Sequence, residues 1–421
     1  MKNVTKTLRT KFGYALSAYL IILMNILSPS SANCQATWTM KTAPSSPFTA
    51  RNACAGFAIG TKGYFGTGSD VSGEKADWYE YDPATDSWTQ KASFPGGVRE
   101  AMICFSIGSK GYVGLGDIGG TTAFADFWEY DPSADTWTAK ANFPGGARST
   151  AVGFSIGTKG YVGCGDDFTN LKNDFYEYDP STDTWTAKAN FGGTARSDAS
   201  GFSIGSKGYI GVGDDGGAQM KKDFWEYDPS TDTWTAKANF GGGNRTTATA
   251  FSLNGLGYIG AGDNGTALKK DFWSWDPMTN TWTAITNFSG ASRSDMIGFA
   301  IGTKAYAGNG NTCGASCYLN DWYELSFGTV SVQEINKHLF AFNIFPNPTS
   351  EKLNISYESV NNNITSMVVF DVLGNKVNSF DLPQTSSNFS IDLSKFTNGI
   401  YYVQFINNGT KIGGEKLVIT K

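Results

Sequence analysis

The string DFWEYDPSTDTWT, residues 223–235, carries the decisive information about the fold, because it is repeated along the chain. It recurs as DWYEYDPATDSWT at 77–89, DFWEYDPSADTWT at 126–138, DFYEYDPSTDTWT at 174–186 and DFWSWDPMTNTWT at 271–283, and a truncated DWYEL stands at 321–325. The leading aspartates, Asp77, Asp126, Asp174, Asp223, Asp271 and Asp321, are 48 to 50 residues apart. A second block precedes each copy, as in RSTAVGFSIGTKGYVGCGDD at 148–167. Its arginines, Arg51, Arg99, Arg148, Arg196, Arg245 and Arg293, are 48 or 49 residues apart. Self-similarity at such a period marks a stacked array of one supersecondary unit.

Within a copy, alternation and turn chemistry predict four strands. The first runs from the arginine through Ala-Val-Gly-Phe-Ser-Ile, and Gly-Thr-Lys-Gly turns it into the second, Tyr-Val-Gly-Cys-Gly. A polar loop leads to the third, Phe-Tyr-Glu-Tyr, and Asp-Pro-Ser-Thr-Asp turns it into the fourth, around Thr-Trp-Thr. Glycine supplies positive φ, proline presets φ at the second turn position, and the flanking aspartates cap free backbone groups. Four antiparallel strands per period, with small residues first and large aromatics last, describe the blade of a β-propeller. Small side chains suit strands crowding an axis; Trp128, Tyr130, Trp137 and their counterparts fill the widening gap between blades, each burying roughly 150–250 Å².

The sixth copy lacks a fourth strand, since Ser-Phe-Gly-Thr-Val follows DWYEL. Ala36-Thr37-Trp38-Thr39-Met40-Lys41 matches the missing piece at the other end of the repeat region. The expectation is a six-bladed propeller over 37–327, closed by an N-terminal strand that places Trp38 beside 321–325 and leaves no free edge at the seam.

Composition agrees with an all-β chain: 51 Gly stand beside 12 Trp, 19 Tyr and 29 Phe, and only 17% of residues are charged. Residues 1–36 hold Lys2, Lys6, Arg9 and Lys11 and no acid, so the remainder is more acidic than the formal net charge of −5. A nucleic-acid partner is excluded for want of a basic footprint. Those cations, the apolar run Tyr14–Leu27 and a polar end read as an export signal over 1–36, with cleavage after Ala32 or Ala36. Asn33 sits where a small residue normally precedes a lipidated cysteine, which argues against lipidation of Cys34. No other segment reaches the roughly 20 apolar residues of a membrane span. Export permits disulfides, and Cys313 with Cys317 is the expected pair; Cys54, Cys104 and Cys164 read as apolar thiols.

The GYVGxG and DFWEYDPxTDTWT blocks resemble Kelch repeats over 37–327, with Gly-x-Gly where Kelch repeats usually show Gly-Gly. The resemblance implies a binding face formed by the loops between second and third strands: 69–76, 117–125, 166–173, 214–222, 263–270 and 311–320. The links between blades join them there, as at 142–146. Kelch adaptors use arginines at the start of the first strand for acidic peptides, so the six arginines are one candidate site. The other reading pairs each with an aspartate after the second strand, Asp117, Asp166, Asp214 or Asp263, and the joint recurrence of the two sets favours this structural pairing. Asp166-Asp167 and Asp214-Asp215 are the best places for a calcium ion, but no EF-hand spacing is present and solvated acids are the simpler reading. Lys221, Lys222, Lys269 and Lys270 read as a solvated rim.

After a linker at 328–341, residues 342–421 change character, and alternating apolar positions predict six or seven strands in a small β-sandwich. Phe345-Pro346-Asn347-Pro348, Asp371–Val377, Gly399-Ile400-Tyr401 and Lys416–Lys421 resemble the type A C-terminal sorting domain of the Bacteroidetes type IX secretion system. The resemblance implies recognition by outer-membrane secretion machinery, followed by removal or exchange for a surface anchor. It places the mature protein outside the cell. A generic adhesion sandwich is the alternative.

Chemistry is narrowed by histidine, of which the chain has one, His338, in the linker. Copper radical oxidases on Kelch propellers, zinc hydrolases and Ser-His-Asp enzymes all need more than the propeller offers. The sialidase Ser-x-Asp-x-Gly-x-x-Trp pattern also fails, since the Asp-Thr-Trp-Thr strands lack its glycine. The expectation is a protein- or glycan-binding module with no cofactor. The rivals are a sugar-active enzyme using loop carboxylates, resembling Kelch-type sialic-acid mutarotases or a lyase, and a purely structural surface protein.

Overall fold

The computed structural model describes residues 36–218, 220–313, 317–328, 341–358, 366–371, 376–382, 388–407 and 410–421. The proposed signal peptide, apart from Ala36, and almost all of the linker lie outside the described residues. Two compact units are found, one through Gly328 and one from Thr329.

The first unit contains six four-stranded antiparallel sheets of one design. Blade 3 is representative: Val152–Ile156, Lys159–Gly163, Phe175–Asp179 and Thr184–Lys188 pair in that order. Blades 1, 2, 4 and 5 begin at Ala55, Ile103, Ser200 and Thr249. The six first strands adjoin one another in a closed cycle, Ala55–Ile59 meeting both Ile103–Ile107 and Ile297–Ile301. Their small residues line an axial channel of about 410 Å³.

Blade 6 takes its first three strands, Ile297–Ile301, Lys304–Gly308 and Trp322–Phe327, from the end of the repeat region and its fourth, Ala36–Lys41, from the beginning. The register sets Trp38 opposite Leu325 and Met40 opposite Tyr323. Trp38 is buried and packs edge-on against Phe288, 5.0 Å between ring centroids. The strand expected at the seam is therefore present.

Two devices join neighbouring blades. In five of the six interfaces a phenylalanine of the first strand packs its ring edge on a glycine of the next blade's second strand, as at Gly111, where a Cβ would overlap the Phe57 ring; in blade 6 the position is Ala305. Farther out, the indole of Trp137 in blade 2 donates to the Ala92 carbonyl that follows blade 1 (2.8 Å). The Asp135 carboxylate accepts from the Ala92 amide (3.0 Å) and from the Tyr130 hydroxyl (2.7 Å). Trp88, Trp185, Trp234 and Trp282 donate in the same way to Thr42, Ala141, Ala189 and Ala238. The Asp-x-Trp element of the repeat is thus a latch that satisfies polar groups while burying an indole. At the seam Ala36 replaces the aspartate, and the Trp38 indole nitrogen has no partner in the structure.

Among the described residues of the second unit, seven strands form two sheets. Ala341–Phe345, Lys352–Glu358 and Asn388–Asp392 make one; Lys376–Asp381, Ser366–Phe370, Gly399–Asn407 and Thr410–Ile419 make the other. Leu353, Ile355, Met367, Val369, Val403, Phe405, Leu417 and others fill a common apolar core between them.

Candidate functional site

Antiparallel connectivity puts the second-to-third-strand loops and the blade-to-blade links at one end of the propeller, and the short hairpin turns at the other. The loop end is built on the six arginines, all at most 1% exposed. Arg196 shows the arrangement. Its two terminal nitrogens donate to the two oxygens of Asp223 (2.7 and 2.9 Å), and Nη1 also donates to the Val212 carbonyl (2.8 Å). The Phe191 ring covers the guanidinium at 4.9 Å. Burial pushes the Asp223 carboxyl up, but hydrogen bonds from Arg196 and Trp225 outweigh it and hold the group below the usual carboxylate range.

The same fork joins Arg51 to Asp77, Arg99 to Asp126, Arg148 to Asp174, Arg245 to Asp271 and Arg293 to Asp321. The pairing partner therefore differs from the sequence expectation: it is the aspartate opening the third strand, not the one following the second. The planar guanidinium reaches across the second strand's end to a carboxylate whose position the sheet fixes, giving a bidentate contact.

Asp117, Asp166, Asp214 and Asp263 sit elsewhere, and their backbones exchange hydrogen bonds with Glu100, Ser149, Ser197 and Thr246, the residues following the arginines. Their side chains accept from nearby amides, as Asp117 does from Gly120 (2.8 Å) and Asp166 from Phe168 (2.7 Å). Asp167 and Asp215 are not simply solvated: each faces a lysine, Lys172 and Lys221, at 2.5 Å. Lys221 is to that extent not a free rim charge. Cys313 and Cys317 are joined by a disulfide in the loop of blade 6, Cα atoms 5.3 Å apart. Cys164 is buried, whereas Cys54 and Cys104 are only partly so.

One residue farther along, the chain converges on the axis. Ala53, Ala101, Thr150, Asp198, Thr247 and Asp295 all adopt left-handed backbone, φ 49° to 54°. Each donates its amide to the carbonyl of its counterpart in the preceding blade, at 3.1 to 3.3 Å, and Ala53 completes the circle by donating to Asp295. Left-handed backbone costs a non-glycine residue roughly 1–2 kcal/mol, so the ring is strained at six places and held by the blades around it.

Above this ring lies a cavity of about 300 Å³. Glu100, Asp117, Asp166, Asp198 and Asp295 line it, and none of its lining residues is basic. Burial, aided by Asp117, Glu74 and Asp295, pushes the Glu100 carboxyl up to about 7. Burial and then the charge of Asp295 push Asp198 up to about 7 as well, and burial raises Asp295. Glu100 and Asp198 therefore exchange protons near neutrality, so each can donate or accept a hydrogen bond there. Of the predicted site residues, the mouth gathers Asp117 and Asp166. Asp214 lines a separate groove of about 560 Å³ beside Gly217, Met220 and Asn264, and the arginines line neither.

Glu100, Asp198, Asp295 and Phe168 did not emerge from sequence reasoning. The available signal was the variation immediately after each arginine, which reads Asn-Ala, Glu-Ala, Ser-Thr, Ser-Asp, Thr-Thr and Ser-Asp in the six copies. Among the described residues no cluster of three or more His, Cys, Asp or Glu has the geometry to hold a metal ion.

The fold and the C-terminal unit together define an exported β-propeller protein. Residues 343–420 match the family model of the secretion system C-terminal sorting domain, the type IX tail, which marks proteins exported to the cell surface or secreted. The chain is similar in structure to YjhT, a Kelch-type propeller, with a TM-score of 0.57 and 18% identity over 66% of this chain and 95% of that one. At that identity the likeness concerns the fold. No curated protein matches the sequence. No described helix is long and apolar enough to cross a membrane.

Proposed function

We propose that the protein is a secreted or cell-surface binding module that engages a protein or glycan ligand at the loop end of its propeller, centred on the acidic mouth. The observation carrying this reading is the cavity bounded by Glu100, Asp198 and Asp295, where carboxyls crowd without a basic neighbour in the wall. Buried like charges cost stability, and the rest of the propeller pairs its buried charges, as the arginine forks do. Perturbed carboxyls in a concave site at the loop end point to ligand recognition.

The arginines, in this reading, support the mouth and do not contact ligand. The sorting domain delivers the module to the cell exterior. A sugar-active enzyme is the second reading, favoured by one observation: Glu100 and Asp198 titrate where general acids and bases work best.

The test is a combined glycan and peptide array probed with the purified protein, alongside the Glu100→Gln/Asp198→Asn variant. Binding that disappears in the variant while circular dichroism is unchanged supports the reading. Binding that survives overturns it, and turnover of a bound sugar that requires both acids moves the assignment to the enzyme.

A further inference from the structure

Phe168 is the one aromatic residue of the propeller, among the described residues, left 42% exposed. Every other tryptophan, tyrosine and phenylalanine there is buried or half-buried. It follows Asp166-Asp167 in the blade 3 loop, with φ 65°, and its side of the loop forms part of the wall of the acidic cavity. Its amide donates to Asp166, which fixes the turn but does not account for the uncovered ring. A phenyl ring held at a polar cavity offers an apolar face and a negative quadrupole, attractive to C–H groups and to cations.

The wall carries a second feature. Asn52, at the cavity, has a buried Oδ1 with no hydrogen-bond partner in the structure. Ser149, Thr150 and Ser197 contribute further short polar groups, and the carboxyls give the whole a negative potential with no cation in the wall. The volume, about 300 Å³, is at the lower end of the range for small-ligand sites.

We infer that the mouth binds a saccharide bearing a free, protonated amine, with one sugar face stacked on Phe168, its hydroxyls on Asn52 and the serine and threonine groups, and its ammonium among Glu100, Asp198 and Asp295. This deepens the binding-module reading and rests on it. The ring platform of Phe168 and the hydroxyls of Ser149, Thr150 and Ser197 suit a ring carrying several hydroxyl groups better than the single ammonium of a lysine side chain. The lack of a basic residue in the wall disfavours acidic sugars, whose carboxylates would face like charge.

The probes are a glucosamine trimer, its fully N-acetylated counterpart and a lysine-rich peptide, titrated calorimetrically into the full mature protein. The expected result is binding of the free-amine trimer with the acetylated trimer weaker by about tenfold or more, the value of one desolvated charge contact. Phe168→Ala is expected to weaken the free-amine trimer by about tenfold, and Phe168→Tyr to retain it, since the ring is exposed and its loss leaves the core intact. Equal binding of the two trimers, unchanged binding in Phe168→Ala, or preference for the peptide would each overturn the inference. If the array finds mouth-dependent ligands but the trimer does not bind, the inference fails alone. If no ligand depends on Glu100 and Asp198, the binding-module reading fails with it.

Discussion

Asp198 and Asp295 occupy equivalent positions two blades apart in the axial hydrogen-bonded ring, and each lies within the other's electrostatic reach at a half-buried mouth. Charge repulsion of this kind is tolerated only where the surrounding fold is strong enough to carry it. The consequence is a pH dependence with a definite sign. The Glu100 and Asp198 carboxyls bind protons more tightly in the folded protein, near 7, than in the unfolded chain, where carboxyls titrate at about 4. Stability is therefore fullest at low occupancy of charge and declines as pH rises through the interval between those values. Thermal unfolding at pH 8 should fall below that at pH 6. Asp198→Asn should raise the pH 8 midpoint and flatten the difference, by about 2–4 °C for each kcal/mol relieved. A midpoint that rises between pH 6 and 8 would contradict the picture.

Breaking one arginine fork should be costly. In Asp223→Asn the fully buried Arg196 loses its counter-charge, and leaving one member of a buried pair unmatched costs about 3–5 kcal/mol. Arg196→Lys should recover little of it, because an ammonium cannot make the two-pronged contact or stack under Phe191 in the same way. Denaturant melts measure both, and a loss under about 1 kcal/mol would reclassify the fork as peripheral.

The repeat motif displayed most of the architecture before any coordinate did. Gly-Thr-Lys-Gly and Asp-Pro-Ser-Thr-Asp are local instructions, fixed by φ and by side-chain caps, so strand and turn could be read one copy at a time. Closure by residues 36–41 was also legible, because a missing Asp-Thr-Trp-Thr end and a stray Trp38 strand point to each other. The arginine partner was not. Arg196 and Asp223 are 27 residues apart, and spacing alone does not separate Asp214 from Asp223; the available signal was that the aspartate opening the third strand recurs in all six copies and the one after the second strand in only four. The mouth was harder still: Glu100, Asp198 and Asp295 come from different blades, and only closing the ring sets them together.

Closure at the seam should be measurable on its own. Trp38→Ala removes a buried indole that bridges blades 5 and 6 and is expected to cost about 3–5 kcal/mol. Thr39→Pro, in the middle of the seam strand opposite Glu324, should expose the edge of Trp322–Phe327 and favour aggregation, read by light scattering. Both variants behaving like the wild-type protein would mean that the strand does not hold the ring closed.

Gly111→Ala should destabilise by about 1–3 kcal/mol, as overpacking does, because the added methyl strikes the Phe57 ring. Phe57→Leu in the same chain should restore part of the loss by making room. Chemical denaturation of the two variants checks this, and additive losses would indicate that the two residues do not meet.

The central claim is that the loop end of the propeller is the binding face. Hydroxyl-radical footprinting with the strongest array ligand tests it directly, using Phe168 at the mouth and Met278, 93% exposed in a hairpin turn at the opposite end, as reporters. Protection of Phe168 on ligand addition with Met278 oxidised as before is the predicted result; protection of Met278 with Phe168 unchanged would contradict it.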